Sequence, residues 1–204
     1  MAKSSIHPPT ESVHLFERPK NRELSLRKTK YAHRLTRLRF PEADIPVWAA
    51  RFGDDGSDDA IRDGIRPLVL ARGHLTRPEF LKICAWKSHR SKPSCRKNGA
   101  RKVETLTRAA LATPDEALKI DLLRLLEGVE WPTASTILHF CDVRPYPILD
   151  YRAVWSLGLV KPTTYTMGFW LTYLAATRDL AARLGLSIRT VDKALWQYSK
   201  ERQP

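Results

Sequence analysis

One glycine constrains this chain more than any other residue. Gly128 closes a run in which Leu118, Leu122, Leu125 and Leu126 recur at helical spacing, and Pro132 follows at the head of a second apolar run. A glycine ends a helix where the backbone must turn left-handed, and a proline suits a first turn that needs no donor. Ala134, Ser135 and Ile137 continue the second run, the small pair allowing two helices to approach closely. The spacing therefore predicts a helical hairpin over residues 118–140. A loop over residues 141–146 comes next, then Pro147, Ile148, Leu149 and Asp150. Asp150 is placed to cap a third helix carrying Ala153, Val154 and Leu157.

The remaining segments read as helices too. Trp48 and Phe52 bracket a short one, followed by a glycine-containing loop over residues 53–57. Ser57, Asp58 and Asp59 start a helix that runs to Ala71, with Ile61, Ile65, Leu68 and Leu70 facing inwards. Thr76, Pro78 and Glu79 form a strong start for a helix burying Phe80, Leu81 and Ile83 and delivering Trp86, Lys87 and Arg90 near its end. Residues 100–112, 168–184 and 187–200 follow the same period, and neither a strand pattern nor an internal repeat is evident. The fold class expected is all-α, with a basic N-terminal arm over residues 1–40 and a helical domain over 41–204. Residues 1–25 read as a mobile arm, with a helix from Leu24 to Arg39.

Charge narrows the function classes. The net +13 is concentrated: residues 1–40 carry +7 and residues 80–103 carry +8, while the rest nets −2. Clustered positive charge suits a polyanion, because each neutralised phosphate releases counterions. A solvated basic face is the alternative. No apolar run approaches the ~20 residues that span a bilayer, and the N-terminus lacks a signal-peptide core. Cys84, Cys95 and Cys141 form an odd, sparse set, which points to reduced thiols in a cytoplasmic setting. Cys84, His89 and Cys95 match no zinc spacing, so neither metal nor other cofactor is expected.

The segment Leu126-Glu127-Gly128-Val129-Glu130-Trp131-Pro132-Thr133-Ala134, with Asp150 beyond it, resembles the helix-hairpin-helix DNA glycosylase superfamily, endonuclease III-like. That signature is a hairpin followed by a helix, a loop and a catalytic aspartate at the head of the next helix. The resemblance implies a two-lobed helix-hairpin-helix DNA glycosylase-like fold, acting on double-stranded DNA as a monomer associated with the nucleoid. Where the family has a second glycine this chain has Glu130. Pro132 stands where the bifunctional members carry a lysine nucleophile, and the C-terminal iron–sulfur loop is absent. A monofunctional glycosylase is what remains implied, hydrolysing the N-glycosidic bond of a flipped, damaged or mismatched base.

On that basis Asp150 is the expected catalytic carboxylate, stabilising positive charge on the sugar while it orients water. The expected DNA contacts are Gly128, Val129, Glu130 and Thr133 in the hairpin, with Lys87, Arg90, Arg96 and Lys97 from the basic patch. Trp86, Lys87 and His139 are the pocket candidates. Trp86 and His139 could equally be core residues, and Lys87 and Arg90 part of a solvated face. Two other readings stay open. One is a non-catalytic helix-hairpin-helix DNA-binding protein. The other is a transcriptional regulator, because residues 179–191 resemble a helix-turn-helix that would offer Ser187, Arg189, Thr190 and Lys193 to a major groove.

Overall fold

A computed structural model describes residues 37–53 and 56–204, and these are all-helical, with no strand among them. The chain runs through α1 (Ile45–Arg51), α2 (Asp59–Arg62), α3 (Arg66–Arg72), α4 (Arg77–Lys87), α5 (Lys92–Cys95) and α6 (Ala100–Ala112). It continues through α7 (Glu116–Arg124), α8 (Trp131–Cys141), α9 (Tyr151–Ser156), α10 (Met167–Leu184) and α11 (Ile188–Arg202). Local chemistry sets most of the boundaries. Thr76 and Glu79 form a reciprocal capping box on α4. Asp115 caps α7 by accepting from the N–H groups of Ala117 and Leu118 at 2.8 and 3.0 Å. Gly185, left-handed, ends α10 and lets Leu186 N–H reach back to Ala181 O at 2.9 Å.

Two groups of helices share one continuous core. In the first, α8 packs on α3, α4 and α7, and α6 packs on α7. Helix α8 is buried nearly all round, from Trp131 to Cys141, which is how a central helix differs from an amphipathic surface one. In the second group, α11 lies against α1, α9 and α10. The groups meet where α10 touches α7 and where the loop over residues 142–150 crosses between them.

The structure corrects several expectations. The helix expected over residues 57–71 is two, α2 and α3; Ile61 and Ile65 face inwards as expected, joined by Val69, whereas Leu68 and Leu70 are exposed. In α7 the buried face is Ile120 and Leu123, continued by Leu126, whereas Leu118 and Leu125 face outwards. Lys119 explains that rotation. It is buried with Nζ 2.6 Å from Asp142 Oδ2 and donates to Ala110 O and Leu111 O, so the inward face contains a charge that hydropathy reads as outward. Ahead of the helix at Ala100 the chain forms the short helix α5.

Structure also begins before Pro41. Arg39 N–H donates to Ser156 O at 2.9 Å, Tyr198 Oη donates to Arg39 O at 2.8 Å, and Phe40 packs against Trp48 and Tyr198. Residues 37–39 are therefore not the end of a helix. The expectations for residues 1–36 fall outside the described residues. Among those described, no helix is long and apolar enough to cross a membrane.

Candidate functional site

The hairpin turn is held from outside as well as by its own glycine. Gly128 has φ +76°, and a Cβ there would meet Cys95 N and Ser94 Cβ at 2.9 Å. Glycine is required twice over, for the left-handed backbone and for the approach of α5. Asn98 fastens the two segments: its Nδ2 donates to Cys95 O and Glu127 O, and its Oδ1 accepts from Glu127 N–H. Arg77 binds the same strip by donating to Asn98 O and Arg96 O, both at 2.8 Å. These bonds carry exposed Arg96 and Lys97 to the side of the hairpin turn.

The hairpin contacts expected from the sequence divide. Gly128 forms the turn and Glu130 is exposed, its carboxylate 3.7 Å from Arg124. Val129 is buried and spends its N–H on Leu126 O at 3.1 Å. Thr133 is only 4% exposed, so its hydroxyl is not presented at the surface. The first-turn N–H groups of Trp131 and Thr133 have no intrahelical acceptor, as at any helix start.

Asp150 lies in a cleft of about 590 Å³ between the two helix groups. Phe52 and Ser57 line one side, Trp86 and Lys87 from α4 another, and Asp192 and Trp196 from α11 a third. Asp150 caps α9 by accepting from Arg152 N–H at 3.0 Å through Oδ1, leaving Oδ2 to accept from Lys87 Nζ at 2.8 Å. The residues of this pair are 63 positions apart and both partly buried, with side chains 12% and 22% exposed for Lys87 and Asp150. Trp86 is half-buried, edge-on to Phe140 at 5.1 Å, with Nε1 donating to Ser57 Oγ.

The other sequence candidates lie elsewhere. Arg90 is exposed on the 3-10 turn His89–Ser91 and does not line the cleft. His139 lines a neighbouring cleft of about 650 Å³ rather than the one holding Asp150. Its Nδ1 donates to Tyr146 O at 2.6 Å, and burial lowers its pKa from 6.5 to about 4, so the ring is neutral at pH 7. That neighbouring cleft brings together Arg62, Arg66, Arg144, Arg178 and Arg189. Each already serves a carboxylate or a carbonyl: Arg66 donates to Phe140 O and Asp142 O, and Arg144 and Arg178 share Glu116.

The residue that sequence reasoning missed is Asp192. It is buried on α11, and its Oδ2 accepts from the N–H of Ile148, two positions before Asp150, at 3.0 Å. Burial raises its pKa from 3.8 to about 7, opposed by that hydrogen bond and by the charges of Arg189 and Lys87. His139 Nδ1 is 3.7 Å from the same oxygen, yet between about pH 4 and 7 both groups are neutral, so this contact is not an ion pair. A signal was present in the sequence, since an acid three positions before Leu195 shares its apolar face.

The residues that the regulator reading would give to a major groove are engaged within the molecule. Ser187 caps α11 at Thr190 N–H, Arg189 pairs with Asp58 at 2.7 Å, and Lys193 lies over the Phe52 ring at 5.5 Å. Among the described residues no group of three or more His, Cys, Asp or Glu could hold a metal ion, and all three cysteines are free and buried. The chain matches no protein-family model, no curated protein and no solved structure.

Proposed function

We propose that this protein is a monofunctional DNA glycosylase of the helix-hairpin-helix type, with a two-lobed fold that binds double-stranded DNA across the cleft between its helix groups. The observation that carries this reading is Asp150. A carboxylate at a helix head, held by Lys87, stands in an aromatic-walled cleft about 590 Å³ in volume. Breaking an N-glycosidic bond builds oxocarbenium character on the sugar, and a fixed carboxylate stabilises that charge and orients the attacking water. The base has to leave the duplex first, and aromatic walls such as Trp86 and Trp196 give its flat faces a surface to stack on. Positive charge at Arg96 and Lys97, tied to the hairpin turn through Asn98, supplies the backbone grip.

The test uses purified protein and duplexes that each carry one damaged or mismatched base. Wild type produces alkali-labile abasic sites on at least one duplex. Asp150→Asn retains the helix cap and duplex affinity but loses the abasic product. Duplex binding with no abasic product on any substrate would favour the non-catalytic DNA-binding reading.

A further inference from the structure

We propose that Asp192 is the acid of this cleft, a carboxyl that donates its proton from Oδ1 to a ring nitrogen or carbonyl oxygen of the nucleobase seated there. The inference rests on the glycosylase reading of Asp150 and adds what that reading lacks, a group that helps the base to leave.

Three observations on Asp192 support it. The residue is 4% exposed yet lines the same cleft as Asp150. One oxygen is fixed by Ile148 N–H, which orients the carboxyl, while Oδ1 is buried with no hydrogen-bond partner. A buried polar atom left unpaired costs about 1–3 kcal/mol, so an unsatisfied oxygen on a residue that lines the cleft is relieved by a partner that reaches it. Burial also favours the neutral form of this carboxyl, pushing its pKa up to about 7. Lys87 on α4 is committed to Asp150, and Arg189 on α11 to Asp58. His139 on α8 is neutral and donates to Tyr146 O, and Tyr173 on α10 donates to Ile148 O. Helix α1 and its C-terminal turn present Phe52 to the cleft. Two carboxyl groups line this one cleft, Asp150 at a helix head and Asp192 buried in its wall, a pairing that can divide into an acid and a charge-stabilising partner.

The C1′–N bond breaks and its electron pair leaves with the base, which takes the proton from Asp192. Water oxygen bonds to C1′, its proton passes to Asp150 and on to solvent, and solvent reprotonates Asp192. The products are a free base and an abasic site.

The first measurement does not depend on activity. Carbon-13 NMR of aspartate carboxyl-labelled protein, with Asp192 assigned through Asp192→Asn, follows the native carboxyl across pH 4–9. The midpoint is expected near 7 and is expected to rise when the protein is saturated with a duplex carrying an uncleavable 2′-fluoro nucleotide at the target. A midpoint below pH 5, or one indifferent to the bound duplex, overturns the proposal. Single-turnover excision is the second measurement. The wild-type rate falls as pH rises through about 7, and Asp192→Asn, which keeps an acceptor for Ile148 N–H, is about a hundredfold slower at pH 6 and flat across that window. Equal rates and profiles would overturn the proposal. A protein that binds duplex but excises nothing defeats the glycosylase reading, while the carboxyl titration still decides whether Asp192 meets the seated base.

Discussion

His139 and Asp192, 3.7 Å apart, are displaced from their ordinary pKa values in opposite directions, to about 4 and about 7. Asp192 keeps its proton in the fold up to about pH 7, whereas the unfolded chain releases it near pH 4, so its stabilisation is complete below 4 and disappears as pH rises to 7. His139 stays neutral in the fold down to about pH 4 while the unfolded chain takes up a proton near 6.5, so its stabilisation is present above 6.5 and lost as pH falls to 4. Between pH 4 and 6.5 the two slopes oppose each other and wild type changes little on their account. Removing either residue exposes the other. Relative to wild type, Asp192→Asn should gain stability as pH rises from 4 to about 7, and His139→Gln should lose it from 4 to 6.5, each by on the order of 3 kcal/mol across its window. Urea unfolding at several pH values reads both, and variant curves parallel to wild type would contradict the assignment.

The hairpin shows how an element depends on residues outside its own sequence. Its helices, its turn and the cap at Asp150 were legible because each is a local decision: leucine period, glycine, proline, aspartate. The support was not legible, because Asn98 and α5 reach the turn from about 30 residues away and a loop-like segment carries no period to read. The inward face of α7 was misread for a related reason, a buried Lys119 whose partner Asp142 lies on another element. Gly128→Ala tests the outside support. It combines a left-handed alanine with a Cβ driven against the Cys95 backbone, and should cost about 2–4 kcal/mol in urea unfolding and weaken duplex binding. Gly185→Ala is the control, since φ is +63° there with no atom within 4 Å of the added Cβ, and about 1 kcal/mol is expected. Equal losses at the two positions would remove the case for a turn clamped by α5.

Across the whole molecule, all-α character and clustered charge could be read from the sequence, but the cleft could not. It is made by α4, the head of α9 and α11, and the Lys87–Asp150 pair joins residues 63 positions apart. Nothing in the period of one helix states which other helix faces it. If the proposed DNA binding holds, duplex affinity should fall by about tenfold or more between 50 and 200 mM salt, with a shallower slope for the double variant Arg96→Ala/Lys97→Ala. A response flat in salt would count against DNA as the partner. The most direct test of the central claim is mass spectrometry of the free base released from lesion-bearing duplex in a single turnover, comparing wild type with Asp150→Asn at matched duplex occupancy. Release by wild type and none by Asp150→Asn is the result expected; equal release by both would show that Asp150 is not the group on which the reaction depends.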